Sequence, residues 1–307
     1  MTRARFPRAF VAVALTIALL PWSLPALAAP VVLDSSWVVA PFATIPASSP
    51  EGVSVDGMGR VYVCAGTAGI FRFDTSGTGA PWSSAPGNGQ ATTPDGRTYV
   101  PSRDALFPNH YIWDVAPDGS YSALVSTSPE DGWVWAAVSP SGKLYSILPG
   151  GIGEGIYSVD VMSGATTPLF TGGPGAGGAG NYRAIATSGE AVVVSGNDEV
   201  GFGIFQLANS TMALVARTPQ GMLGICAGPD AIYAASSNVA EGQVWKITPG
   251  SATLFAHGFG NTVSVAYDAA RNRIYVQDTS PPKLWVISRN PTATRAVTIG
   301  RIHQLYR

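Results

Sequence analysis

Apolar residues along this chain come in short alternating runs separated by Gly, Ser, Asp and Asn turns, and no helical period persists. One frame recurs in these runs: Ile-Phe-Arg-Phe, Ile-Trp-Asp-Val, Ile-Tyr-Ser-Val, Ile-Phe-Gln-Leu, Val-Trp-Lys-Ile and Leu-Trp-Val-Ile. Its aromatic residues are Phe71, Trp113, Tyr157, Phe205, Trp245 and Trp285, spaced 40 to 48 residues apart. A tyrosine precedes most of them, at Tyr62, Tyr99, Tyr145, Tyr233 and Tyr275, and Val192 is read as its counterpart in the fourth unit. A unit of about forty residues built from short strands and tight turns has the period of a four-stranded propeller blade. The pattern predicts an all-β fold, a six-bladed β-propeller of four-stranded antiparallel blades.

In unit one the inner strand is expected over Gly52 to Asp56, the second over Arg60 to Ala65 and the third over Gly69 to Asp74. Inner and second strands of the later units read as Gln90 to Thr93 with Arg97 to Pro101, Trp135 to Ser139 with Lys143 to Leu148, and Tyr182 to Ala186 with Glu190 to Ser195. Leu223 to Cys226 with Ala231 to Ala235 and Val263 to Tyr267 with Arg273 to Gln277 complete the set. Outer strands are expected over Thr166 to Thr171, Thr211 to Ala216, Ser251 to Ala256 and Thr294 to Gly300, while unit one shows no clear one. Trp37 to Pro46 looks like a displaced outer strand that closes the ring by pairing into the last blade, which would remove an exposed sheet edge.

The first thirty residues change the picture of where the domain begins. Arg3, Arg5 and Arg8 precede an apolar run from Ala9 to Leu20, and Ala26-Leu27-Ala28 supplies small residues for cleavage. A signal peptide over 1–28 and one propeller domain over 29–307 are expected, in a secreted or periplasmic monomer with no membrane span after cleavage. The formal charge of −1 becomes −4 once those three arginines leave, a balance that gives no reason to expect nucleic acid. Cys64 and Cys226 fall in units one and five, and read as two small buried hydrophobes rather than a disulfide. Without a Cys-x-x-Cys-His motif, and with six short blades, a haem or quinone cofactor is not expected. The Gly-rich run Gly172 to Gly180 is a loop between units three and four.

Propeller sites lie where the segments leading into the inner strands converge. Counting five residues back from each inner strand's expected end gives Glu51, Asn88 and Asn181. Units three, five and six offer Glu130-Asp131-Gly132, Gln220-Gly221-Met222 and Gly260-Asn261. Such a ring of carboxylate and amide oxygens suits a hard divalent cation, and equally the ordinary turn chemistry of Asn, Asp and Gly. His110, His257 and His303 fall outside these segments, so neither a three-histidine zinc site nor a Ser-His-Asp triad assembles. Trp133, Trp135, Tyr182 and Met222 either give the mouth an apolar rim or pack between blades.

The stretch from Pro50-Glu51-Gly52-Val53 through Asp56-Gly57-Met58-Gly59-Arg60-Val61-Tyr62-Val63, with the turns Pro94-Asp95-Gly96-Arg97 and Pro140-Ser141-Gly142-Lys143, resembles the gluconolactonase, senescence-marker and luciferin-regenerating superfamily. NHL and strictosidine-synthase-like propellers share this texture. The resemblance implies one divalent cation, calcium or zinc, held by Glu51, Asn181 and Gln220. Gln220 stands where that family carries an aspartate, and Glu130 is a residue that would restore the charge. It implies hydrolysis of a small lactone or ester, with Asp131 or Glu130 as base, Arg183 steadying negative charge, and Asn88, Tyr182, Trp133 and Asn261 contacting substrate. A binding propeller without chemistry and a metal-free strictosidine-synthase-like enzyme are the alternatives.

Overall fold

The computed structural model of the chain describes residues 29–102, 110–127, 132–148, 154–172, 182–237 and 241–291. Two strands precede the repeats, β1 (Val31–Val32) and β2 (Trp37–Thr44). Blade one follows with β3 (Gly52–Val55), β4 (Val61–Cys64), β5 (Ile70–Phe73) and β6 (Gly79–Ser83). Blade two has β7 (Ala91–Thr92), β8 (Thr98–Ser102), β9 (His110–Val115) and β10 (Tyr121–Thr127). Blade three has β11 (Trp135–Val138), β12 (Leu144–Leu148), β13 (Gly155–Val159) and β14 (Thr166–Thr171). Blade four has β15 (Ala184–Ser188), β16 (Ala191–Asp198), β17 (Gly201–Ala208) and β18 (Thr211–Arg217). Blade five has β19 (Gly224–Ala227), β20 (Ile232–Ser237), β21 (Gly242–Thr248) and β22 (Ser251–Phe259). Blade six takes β23 (Thr262–Asp268), β24 (Arg273–Thr279) and β25 (Pro282–Arg289) from the end of the chain, and β2 as its outer strand.

The ring therefore closes as the alternation of Trp37 to Pro46 predicts. Trp37 pairs with Arg289 and Thr44 with Lys283, so β25 keeps no open edge. The expected strand over Thr294 to Gly300 lies outside the described residues. β1 adds a fifth strand to blade five, pairing Val31 with His257. Blade one does possess an outer strand, β6; its Gly-Ala-Pro-Trp-Ser sequence hides the alternation, because Gly and Pro interrupt the period of two.

The recurring frame marks a bulge. In each blade the outer strand carries one extra residue opposite the step into the frame's aromatic, and that residue is apolar every time: Phe42, Trp82, Leu124, Leu169, Val215 and Phe255. The preceding tyrosines pack against these extra residues. Ring centroids lie 4.8 Å apart for Tyr62 and Trp82, 5.2 Å for Tyr233 and Phe255, and 4.9 Å for Phe42 and Tyr275. In blade four the ladder pairs Val194 with Phe205, just as Val63 pairs with Phe71, so the counterpart of the tyrosines is Val193 and not Val192. Val193 shares a core cluster with Val215, a small side chain against a small bulge residue. The turn between the third and fourth strands of the following blade lies on the bulge: a Cβ at Gly119 would sit 2.2 Å from the Trp82 carbonyl oxygen.

Candidate functional site

The six inner strands enclose a central channel of about 200 Å³, lined three residues at a time from each blade and carrying no charged side chain. Between blades one and two it is hydroxylated: Ser54 Oγ lies 2.6 Å from Thr92 Oγ1, and Gln90 Nε2 donates to Ser54 Oγ at 2.9 Å. Its mouth lies at the end where the inner strands begin.

At that end one backbone hydrogen bond repeats from blade to blade and sets the register. Glu51 N donates to Cys64 O, Asn88 N to Pro101 O, Val134 N to Ile147 O, Arg183 N to Ser195 O and Leu223 N to Ala235 O. Arg183, not Asn181, is thus the equivalent of Glu51 and Asn88. Counting back misplaces the fourth unit because β15 runs on to Ser188, two residues beyond the expected end at Ala186. Glu130, Asp131 and Asn181 lie outside the described residues.

Trp133 and Tyr182 are walled in rather than displayed on the mouth. Trp133, 2% exposed, packs between blades two and three and meets Tyr157 edge-on at 5.4 Å. Tyr182, 4% exposed, belongs to the core between blades three and four, and its hydroxyl donates to Gly172 O at 2.8 Å. Met222 is buried in the same manner between blades four and five. These bulky groups seal the blades together at the top of the ring, a role visible only once burial is known.

Gln220 is held by its amide nitrogen, which donates to Ser236 Oγ at 2.5 Å and to Gln243 Oε1 at 3.3 Å. Asn261 is fixed more tightly. Its backbone N–H donates to Asp278 Oδ1 at 2.8 Å, and its side-chain amide donates to Thr279 Oγ1 at 2.8 Å. Asp278 also accepts from Gly260 N and Ser280 N. What Asn261 retains is a buried Oδ1 with no hydrogen-bond partner among the described residues.

That orphaned oxygen has company. Gln90 Oε1, Ser102 Oγ, Trp133 Nε1, Glu154 Oε1, Arg183 Nε, Asn197 Oδ1 and both amide atoms of the fully buried Gln277 are also buried without such partners. These sit toward the end where inner strands begin and second strands finish, while Trp113 Nε1, Asp114 Oδ1 and Tyr275 Oη, also buried without such partners, lie within β9 and β24. Buried polar atoms are nearly always paired, because an unmade bond costs about 1–3 kcal/mol.

Glu154 escapes the sequence reading. It stands just before β13, 8% exposed, where the other blades carry Ala68, His110, Phe202, Gly242 and Pro282. Burial pushes its carboxyl above the usual range, and burial, with the Glu154 charge second, pushes the Tyr182 phenol up. An acidic residue three positions before the frame's aromatic, unmatched in the other units, is the one signal that could have found it.

Cys64 and Cys226 are both buried and unbridged, and burial pushes their thiols up, Cys64 to about 12. Among the described residues no three or more His, Cys, Asp or Glu side chains gather to hold a metal ion.

No family model matches the sequence, and no curated protein matches it. Solved structures do share the fold. A gluconolactonase from Xanthomonas campestris superposes with a TM-score of 0.65 at 14% identity, over 82% of this chain and 89% of that one. The PQQ domain of pyranose dehydrogenase from Coprinopsis cinerea, in its holo form, gives 0.63 at 14% identity, over 85% and 97%. Virginiamycin B lyase from Staphylococcus aureus gives 0.54 at 15% identity, over 79% and 82%. Identities this low speak for architecture and not for chemistry. The chain is a six-bladed β-propeller of four-stranded antiparallel blades, the fold it shares with a gluconolactonase, a dehydrogenase PQQ domain and an antibiotic lyase.

Proposed function

We propose that the chain is an exported enzyme that hydrolyses a small lactone or ester at the mouth of its central channel. The observation that carries this reading is the set of buried, unpartnered polar atoms found toward that end, Asn261 Oδ1, Arg183 Nε and Glu154 Oε1 among them. Glu154, biased by burial toward its protonated form, would give a proton to the departing alkoxide oxygen. A second carboxylate, Glu51 or the sequence candidates Glu130 and Asp131, would take the proton of the attacking water. Arg183 would hold the charge that develops on the carbonyl oxygen, and Asn261 Oδ1 would accept from a substrate hydroxyl.

A calcium or zinc ion held by Glu51, Asn181 and Gln220 belongs to the same proposal. A bound cation would polarise the ester carbonyl. The described residues alone do not fit it: they bring one carboxylate and a glutamine whose amide is already engaged with Ser236 and Gln243, too little charge for a tightly held divalent ion. No step is therefore routed through the ion.

The test is turnover of a panel of lactones and aryl esters by protein beginning at Ala29, before and after chelation, with Glu154→Gln and Glu51→Ala alongside. Turnover lost in Glu154→Gln at a melting temperature no lower than the parent's supports the reading. A calcium- or zinc-dependent rise in melting temperature that vanishes in Glu51→Ala supports the cation. Affinity without turnover of any ester favours the second reading, a binding propeller without chemistry, to which the engaged Gln220 amide already points.

A further inference from the structure

Arg183 holds the same register position on blade four that Glu51 holds on blade one. In a ring of six, blades one and four face each other across the channel. The mouth thus carries opposite charges at opposed, equivalent positions.

The setting of Arg183 is built rather than incidental. Its guanidinium lies 5.3 Å from the centre of the Phe202 ring. On its other side it runs along Gly221, where any Cβ would come within 2.8 Å of Arg183 Cδ and Nε. Its Nε is buried and has no hydrogen-bond partner among the described residues.

Nothing described neutralises it. The carboxylate of Asp198, at the end of β16, is taken by Arg217, with contacts of 2.6 and 2.7 Å to the two nitrogens. The remaining ion pairs among the described residues join Arg60 to Asp56, Arg97 to Asp114, Lys246 to Asp230, His257 to Glu241 and Arg271 to Asp268. Gln220, next to Gly221, is neutral, and its nitrogen is turned to Ser236. A carboxylate at that position would have opposed the guanidinium, so the neutral amide and the unopposed arginine belong together.

We infer that the blade-four side of the mouth is an anion subsite, and that the ligand is a small molecule bearing a carboxylate, anchored by the planar guanidinium of Arg183 with its uncharged parts reaching toward blade one. A guanidinium packed against an aromatic ring and beside a glycine is preorganised for the two parallel hydrogen bonds that a carboxylate accepts. The inference rests on the mouth being the ligand site but not on hydrolysis.

The experiment titrates 15N-labelled protein with malonate, sulfate and phosphate at constant ionic strength set by chloride. It follows the arginine Nε–Hε resonance identified by its absence in Arg183→Met, a change that keeps an apolar stem over Phe202. A saturable shift of that resonance with malonate is expected. It should weaken at least about tenfold, ~1.4 kcal/mol, in Gln220→Glu and be lost in Arg183→Met, with melting temperatures unchanged. Saturation by sulfate and phosphate but not malonate would overturn the carboxylate assignment, and no saturable shift, or calorimetric binding that survives Arg183→Met, would overturn the subsite. Anion binding without ester turnover would sink the hydrolase reading and leave this one standing, while ester turnover without anion binding would do the reverse.

Discussion

Phe255→Ala isolates what the outer-strand bulges contribute. Phe255 is the extra residue of blade five, 3% exposed, seated between Trp37 of the closing strand at 5.7 Å and Tyr233 at 5.2 Å. Truncation returns roughly 120 Å² of apolar side chain to the reckoning, about 3 kcal/mol at 25 cal/mol/Å². Two lost ring contacts add roughly 0.5–1.5 kcal/mol each, so a total of about 4–6 kcal/mol is expected, at the top of the usual span for a buried Phe→Ala change. For a domain of this size that is a fall in melting temperature of about 8 °C or more. Urea unfolding gives the free energy, and native-state hydrogen exchange gives its location, because the amides of β2 should lose protection before those of blade three. Leu214→Ala, on the outer strand of blade four and 45% exposed, is the control and should stay within about 0.5 kcal/mol. A loss below about 1.5 kcal/mol for Phe255→Ala, or a loss spread evenly over all blades, would refute the idea that this residue seats the closure.

Gly119 and Gly142 have nearly the same backbone, φ 91° and 83°, but nothing lies within 4 Å of a Cβ at Gly142. Gly142→Ala should cost about 1–2 kcal/mol for the left-handed conformation alone, whereas Gly119→Ala must also push its turn off the Trp82 carbonyl and should cost clearly more; equal urea midpoints would contradict this. Hydrogen bonds from Arg217 lower the Asp198 carboxyl from 3.8 to about 2, so its contribution to stability is in place above pH ~4 and lost as pH falls from about 4 toward 2. Melting curves of Asp198→Asn against pH should lack that slope. Glu154 is the opposite case: its folded carboxyl lies above the ordinary 4.5, so stability is lost as pH rises through that value. Glu154→Gln should therefore melt higher than the parent at neutral pH, and the gap should close below pH 4.5.

The architecture was legible because its signals are local. Hairpin turns, the period of two and the apolar–aromatic frame each sit within a few residues, and the repeat multiplies each signal six times. Where the local signal weakened, the reading slipped by one or two residues. The pattern alone places the counterpart of the tyrosines at Val192, one residue from Val193, and ends the inner strand of blade four at Ala186, two residues short of Ser188. The second slip moved a site position from Arg183 to Asn181. Glu154 was invisible for a different reason, since one glutamate among glycines says nothing of how deeply it will be buried.

The sequence by itself determined the number of blades, the order of their strands and the use of Trp37 to Pro46 as the closing strand, because each follows from short-range alternation and from the need to cover a sheet edge. Only the tertiary structure decided which residues meet between blades. Trp133, Tyr182 and Met222 became wall, Asn261 was pinned by Asp278, and Arg183 was set opposite Glu51 across the ring. Those outcomes depend on the packing of segments forty or more residues apart, where burial and pairing are properties of the closed ring and not of any one blade.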